Sequence, residues 1–461
     1  MSGVARIHQQ SGWIVTGSDE GFYPPVSDLI EQYGIPCQTP YAASNIPDGV
    51  SRIVIGRHAK LSPEDCLEVA EAYRLQASSG VEILSFPEAL ESFVKDTHNI
   101  VVAGSFGKSS CAAMCTHVLQ AMGKFPGWFI GADSVNLREN GHTDNSELFV
   151  IEGDEYPAKL NDLTPKFAFY HPRVLLLTSC EHDHINVYPT LNDYLIPFRK
   201  LLADLPSDGT LVCCSNGAHI ERVIHQTRLM PIWYGIQKDQ RTEWWVENIT
   251  YSARGSHFEV FHRGTKVTDA ELQVLGDHMI ENALAVIATL VESKIADVHS
   301  IAHALYTFRG VRRRLERISK LDSTPIYNDF GSSQAKLLAG IEAIKKMFPD
   351  RRITVVFEPH TFSFRNRAAL PQYETLFKAC HRVIVLPPPT HGSGSHDQSS
   401  YEEIMDALND NSIVKLAIDN WPDLRTELAV WSERHSDVIL FEGSGDFYGL
   451  WPQIEAWAKN K

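Results

Sequence analysis

Gly104-Ser105-Phe106-Gly107-Lys108-Ser109-Ser110 is the stretch from which the rest of this chain can be read. The apolar run Ile100-Val101-Val102-Ala103 precedes it, and the helix-like Ser110-Cys111-Ala112-Ala113-Met114 follows. Strand, glycine loop, Lys-Ser and helix in this order make a phosphate cradle. The glycines let backbone N–H groups approach phosphate oxygens, and the helix N-terminus adds unpaired donors and the positive end of a dipole. Lys108 is placed to reach the β/γ-phosphates, and the Ser109 hydroxyl to bind Mg²⁺. Gly104, Ser105, Gly107, Lys108, Ser109 and Ser110 are the resulting nucleotide-binding candidates.

Composition narrows the surroundings of that cradle. A chain of 461 residues implies about three domains at ~150 residues each. The net charge of −15 argues against a general nucleic-acid binder, which needs a basic footprint. No apolar run is long enough to span a bilayer. The N-terminus has no basic segment followed by an apolar stretch, so it does not read as a signal peptide. The eight cysteines form no C-x-x-C pair. They are expected to be buried reduced thiols in a cytoplasmic protein.

The hydrophobic pattern is that of an α/β protein. Trp13-Ile14-Val15-Thr16 and Arg52-Ile53-Val54-Ile55 read as buried strands, with a helix-like segment from Pro63 to Leu75. From Asn99 to Glu316, apolar runs alternate with amphipathic segments, the signature of a mainly parallel sheet. Trp244 to Val274 reads as hairpin-like β structure turning at Gly264. A further α/β unit opens near Pro325 to Tyr327, with strands at Ile353–Phe357, Val383–Leu386 and Val438–Phe441. The loop from Pro387 to Ser400, rich in Pro, Gly, Ser and His, is expected to be mobile.

Further motifs follow the cradle in a familiar order. They are Phe149-Val150-Ile151-Glu152-Gly153-Asp154-Glu155-Tyr156, the strand from Leu175 ending in Glu181-His182-Asp183-His184, and Gly276-Asp277-His278-Met279-Ile280-Glu281-Asn282-Ala283-Leu284. Phe308-Arg309-Gly310-Val311-Arg312-Arg313-Arg314-Leu315-Glu316 and Val356-Phe357-Glu358-Pro359-His360-Thr361 come next. With the compact G-[ST]-x-G-K-[ST]-[ST] loop, this set resembles the Mur ligases, and covers most of residues 10–450. Gly17-Ser18-Asp19, Tyr23-Pro24-Pro25 and Tyr33-Gly34-Ile35 look like the N-terminal domain of the muramate-linked branch.

The resemblance implies three domains. These are a Rossmann-like UDP-sugar-binding-like domain at 1–97, a P-loop ATPase domain at 98–316, and a Rossmann-like domain for the amine or peptide at 317–461. It also implies an ATP-dependent, ADP-forming amide ligase of peptidoglycan recycling. ATP would phosphorylate the carboxylate of a UDP-muramyl-type acceptor, and a peptide or amino-acid amine would displace the phosphate. Carried over by position, Lys108, Glu155, His184 and Arg314 are catalytic. Ser109, Glu155 and His184 hold Mg²⁺, while His278, Asn282, Arg313 and Asp329 lie toward the nucleotide. Glu152, Asp154, Glu181 and Asp183 are supporting carboxylates. Neither nucleic acid nor membrane is implied as a partner, and the protein is expected to be a monomer or weak homo-oligomer.

Three departures qualify the expectation. The chain starts at Met1-Ser2-Gly3, inside the motif where relatives carry a G-x-G-G-x-G-M loop, so residues 1–20 are not expected to cradle a pyrophosphate. Affinity for a UDP-sugar is therefore expected in the high micromolar range or weaker, about −5 kcal/mol. Gly331-Ser332-Ser333-Gln334 replaces A-H-H-P, and Met279 replaces an Asn. No lysine stands at the offset from His184 where some Mur ligases carry a carbamylated one; Arg199 is there, with Lys200 beside it. Two other readings stay open: a ligase that adds single L-alanine, and a degenerate nucleotide-binding relative without ligase activity. Arg365 and Arg367 are open between holding substrate carboxylates and lying on the surface.

Overall fold

The computed structural model describes residues 1–22, 26–58, 60–144, 146–160, 162–184, 187–252, 254–320, 324–389, 397–408, 414–432 and 437–461. Tyr23, Pro24 and Pro25, and residues 390–396 of the loop expected to be mobile, lie outside them. The chain divides into two units. The first comprises Met1–Asn248, Phe258–Ala270 and Glu281–Phe308, and so takes in most of what the sequence suggests as two domains. The second comprises Ile249–His257, Glu271–Ile280 and Arg309–Lys461.

In the first unit, helix α1 (Ser2–Gln10) lies along the short strand Gly141–His142. Arg6 pairs with Glu139 at 2.7 Å, and Tyr33 donates its hydroxyl hydrogen to the Asn140 side chain at 3.2 Å. Three adjacent parallel strands form the centre: β1 (His98–Ala103), β2 (Leu148–Gly153) and β3 (Pro172–Leu177), with β1 in the middle. Their central residues, among them Val101, Val150 and Leu175, are wholly buried. Near-continuous apolar runs are what a parallel sheet covered on both faces demands. Thr210–Cys214 and Ile232–Tyr234 extend the sheet in parallel beyond β3. The strands Trp244–Ser252, Gly255–His262 and Thr265–Leu272 follow as a meander turning at Gly264 as expected, of which Trp244 to Asn248, Phe258 to His262 and Thr265 to Ala270 belong to this unit.

One expected strand is corrected. Trp13 to Thr16 is not a strand, and Ile14 is 99% exposed. Among the described residues, the ladder nearby is the two-residue parallel pairing of Gly17–Ser18 with Cys37–Gln38. An apolar run becomes a strand only where neighbours satisfy its backbone groups. The helix read at Pro63 to Leu75 runs from Leu67 to Ser79, and all eight cysteines are free, seven of them buried.

In the second unit a parallel sheet is built from β4 (Ile326–Asp329), β5 (Arg352–Phe357), β6 (Arg382–Val385), β7 (Val414–Ala417) and β8 (Asp437–Glu442). Its spatial order is β4-β8-β5-β6-β7. Helix α2 (Gln334–Met347) covers one face, contributing Leu337, Ile341 and Ile344 to a core with Tyr327, Phe357 and Leu440. The helices Trp421–Ser432 and Trp451–Ala458 carry the core of the other face. The last strand in sequence thus returns between the first two, bringing the ends of β4, β8 and β5 side by side.

Candidate active site

The glycine loop read as a phosphate cradle lies at the carboxyl end of β1, between that strand and a helix. Gly104 has φ +131° and Gly107 φ +78°, conformations that favour glycine. A Cβ on Gly104 would overlap the Thr178 hydroxyl and lie 2.8 Å from the Ser179 backbone nitrogen. The loop is held against the end of β3: Ser105 donates its backbone N–H to the Ser179 carbonyl at 3.0 Å and its hydroxyl hydrogen to the Glu181 carbonyl at 2.6 Å. Gly107 caps the long helix Lys108–Ala121.

The carboxyl ends of β2 and β3 supply the charges. Lys108 donates to the Gly104 carbonyl at 2.5 Å and to Glu155 at 3.0 Å. Glu155 is fully buried. It also accepts a hydrogen bond from the Tyr194 hydroxyl at 2.9 Å, and faces His184 Nε2 at 3.5 Å. Burial favours the neutral acid, but Lys108 and His184 overrule it and hold the Glu155 carboxyl down at about 2. Lys108 shows the converse. Burial pulls its ammonium down, and Glu155, Asp154 and Glu152 lift it above the ordinary lysine value. His184 is raised in the same way, by Glu155 and Asp183 against its own burial.

Ligand atoms of Asp154, Glu155 and His184 lie within 4.8 Å of one another. Ser109 donates its hydroxyl hydrogen to Glu152 at 2.8 Å, and Glu152 also accepts from the Gly131 N–H at 2.7 Å. A buried carboxylate kept ionised, with further carboxylate and hydroxyl oxygens near it, suits a hard cation such as Mg²⁺. In this structure the Lys108 ammonium supplies the neutralising positive charge.

The sequence locates Lys108, Ser109, Glu155 and His184, and the structure brings Lys108, Glu155 and His184 together. It also adds residues that the reading left secondary or did not single out. Asp154 joins the convergent set and pairs with Lys166 at 2.6 Å. Tyr194, from the helix Leu191–Ala203, buttresses both Glu155 and Ser105. Tyr156 packs edge-on to His184 and beneath Arg57. Only tertiary contact reveals such partners.

The other candidates fall in different places. Asn282 belongs to the first unit. Its amide oxygen accepts from the Cys111 thiol at 3.2 Å and is 2.7 Å from where a Gly107 Cβ would stand, so it backs the cradle. His278, Arg313, Arg314 and Asp329 belong to the second unit. There Arg313 donates to the Gly443 and Gly445 carbonyls at 2.9 and 2.7 Å, and Arg314 lies over the Phe330 ring at 4.9 Å. Asp329 is buried and accepts from the Leu315 N–H at 3.0 Å. Burial pulls the His278 imidazole toward its neutral form, against the charge of Asp329. Arg365 is buried and donates to the Pro389 carbonyl, whereas Arg367 is paired with Glu403 at 3.0 Å.

Comparison with known proteins agrees with this geometry. The model of the Mur ligase middle domain matches residues 102–290. The chain is 29% identical over 98% of its length to the UDP-N-acetylmuramate–L-alanyl-γ-D-glutamyl-meso-2,6-diaminoheptandioate ligase of Haemophilus influenzae, covering 96% of that protein. It is likewise 29% identical over 97% of its length to the UDP-N-acetylmuramate–L-alanine ligase of Ligilactobacillus salivarius, covering 92% of it. The crystal structure of the UDP-N-acetylmuramate–alanine ligase of Thermotoga maritima superposes with a TM-score of 0.79. That match covers 100% of this chain and 97% of the other at 23% identity, and so shows a shared fold.

Two predictions follow from the cradle. Lys108→Ala removes the charge partner of a transferred phosphoryl group and should lower ATP turnover by about 10²–10³ or more. An unchanged circular dichroism spectrum should accompany the loss of phosphate release; near-normal release would contradict the role. The second concerns acid. The carboxyl of Glu155 is held at about 2, below the ~4.3 of an unfolded glutamate. Its ionic contribution to stability is therefore present above ~4.3 and lost as pH falls toward 2. Melting temperature between pH 5 and pH 2.5 should fall less steeply for Glu155→Gln than for wild type.

Proposed function

We propose that this chain, which holds a Mur ligase middle domain, is an ATP-dependent, ADP-forming ligase. It joins the amine of a peptide to the carboxylate of a UDP-N-acetylmuramate-type acceptor, in peptidoglycan recycling. The observation that carries the reading is the convergence of Lys108, Glu155 and His184 on a glycine cradle at adjacent strand ends. Phosphoryl transfer gathers negative charge on one small group of oxygens, and catalysis consists largely of positioning and neutralising it. Similarity to the Haemophilus influenzae ligase over almost the whole of both chains supports the choice of substrates.

The residues divide the work as follows. Backbone donors of Gly107 and Ser110, at the start of the helix, hold the phosphates, while Gly104 and Ser105 shape the loop that presents them. Lys108 would leave Glu155 to meet the phosphoryl group, and Glu155 would then be free to help hold a cation. Ser109, Glu155 and His184, with Asp154 beside them, would hold Mg²⁺, which neutralises the phosphate oxygens when bound. Tyr194 keeps Glu155 oriented while its partner changes. His278, Asn282, Arg313 and Asp329 are assigned to the nucleotide side, and Arg314 to the transferred charge. Among the described residues no helix is long and apolar enough to cross a membrane, and free buried thiols suit the cytoplasm.

A second reading, addition of single L-alanine, has the support of the Ligilactobacillus salivarius ligase at the same identity. The replacement of two histidines by Ser332 and Ser333 favours a relative that binds nucleotide without ligating. ADP release, measured with UDP-N-acetylmuramate and either L-alanyl-γ-D-glutamyl-meso-diaminopimelate or L-alanine, separates the three. Release with the tripeptide at least tenfold above that with L-alanine is expected. The reverse order would assign the L-alanine reaction, and no release with either amine would favour the non-ligating relative.

A further inference from the structure

Glu442 ends β8 in the second unit, and none of its side chain is exposed. Neither carboxyl oxygen has a hydrogen-bond partner among the described residues. A buried carboxylate without donors is a costly anion, so the group must either find a cation or keep its proton. The surroundings supply another acid. Were a Cβ present on Gly340, in the middle of α2, it would stand 2.6 Å from Glu442 Oε1 and 2.7 Å from Asp329 Oδ2. The two carboxyl groups therefore converge on one point of that helix from paired positions of neighbouring strands, since Asp329 is in register with Glu442. A Cβ on Gly331 would overlap Glu442 Oε2. Gly331 stands where the Mur ligase pattern has alanine, so the small residue and the buried acid make one fitted pair.

We infer that Glu442 and Asp329 share a single proton, that Glu442 carries it as an O–H donor toward Asp329, and that Glu442 is thereby a positioning residue for Asp329. The inference rests on the nucleotide-side role proposed above for Asp329. Asp329 already spends Oδ1 on the Leu315 N–H. A donor on its other oxygen fixes the remaining rotation of the carboxylate and leaves one negative charge, not two, in the strand-end core. The other groups facing the pair fit that distribution. Burial raises the Asp329 carboxyl too, but Arg314, the Leu315 and Phe330 backbone and His278 all pull it back toward the ionised form. The Cys380 thiol and, beyond it, Lys345 lie on the Glu442 side. Glu358, at the end of β5, takes its hydrogen bond from the Tyr448 N–H at 3.1 Å and faces His360, away from the pair. Burial first, and Asp329 second, push the Glu442 carboxyl well above the usual range.

The test has one arm that needs no catalysis. A carboxyl raised in the folded state contributes stability that is fully present below the unfolded value near ~4.3 and lost as pH rises toward the folded value. Melting temperature of the full chain should therefore decline from pH 5 to pH 9 more steeply in wild type than in Glu442→Gln, whose amide supplies a donor without titrating. Equal slopes would overturn the inference even if the protein is the ligase proposed. The second arm reads turnover. Glu442→Gln should keep ADP release within about threefold at pH 7 and lack the alkaline fall expected of wild type. Glu442→Leu, which offers no donor, should raise the KM for ATP at least tenfold, and a normal KM in that variant would count against the positioning role. In a third arm Gly331→Ala should lower the melting temperature of wild type yet be tolerated in Glu442→Ala, where the colliding oxygen is gone. Equal cost in both backgrounds would contradict the fitted pair.

Discussion

The ion pair between Lys108 and Glu155 is the contact on which the first unit's chemistry depends. Two opposite charges lie 3.0 Å apart at the ends of adjacent parallel strands. Desolvating either alone would cost several kcal/mol. Each is tolerated because the other is there, and because Tyr194, His184 and the Gly104 carbonyl take up hydrogen-bonding capacity that remains. A buried anion of this kind has to be neutralised in every state of the protein. In the proposed reaction, where Lys108 would turn to a phosphate, another cation would have to stand beside Glu155, and Asp154 and His184 lie close enough to offer it further ligands. On the proposed function, nucleotide arrival would exchange one positive charge for another.

The second unit solves a related problem differently. Its strand ends also gather acids, Asp329, Glu358 and Glu442, all nearly or wholly buried. There the counter-charge is sparser. Arg313 is occupied in holding the Gly443 and Gly445 carbonyls, and Arg314 lies over Phe330. Where cations run short, a proton is the remaining way to lower the charge. One unit therefore uses a lysine and the other an uncharged acid to make the same kind of strand-end chemistry stable, each within its own core.

Much of the first site was legible because it is local. Gly104 to Ser110 is one contiguous segment in which strand, loop and helix follow each other, and Glu155 and His184 sit within a few residues of their own strand ends. Asp154 was visible only as a neighbouring carboxylate, since its contact with Lys166 depends on how the chain after β2 turns back. Tyr194 was invisible because its hydroxyl reaches Glu155 across 39 residues of sequence. Trp13 to Thr16 misled in the opposite direction: its residues favour a strand, but among the described residues no ladder receives them. Gly331 was noticed as a departure from a pattern, while its reason lies at Glu442, in a strand that pairs with β4 only after the chain has passed through the rest of the second sheet.

The central claim is that Lys108 and its acidic partners serve transfer of a phosphoryl group from ATP to a carboxylate. Positional isotope exchange in ATP carrying ¹⁸O at the β,γ-bridge reports that transfer before any amine is present. The account predicts that the label scrambles to the β-nonbridging positions when UDP-N-acetylmuramate and Mg²⁺ are added, and that it does not scramble when the acceptor is omitted. Turnover of ATP with no acceptor-dependent scrambling would contradict a reversible phosphorylation of that carboxylate at this site.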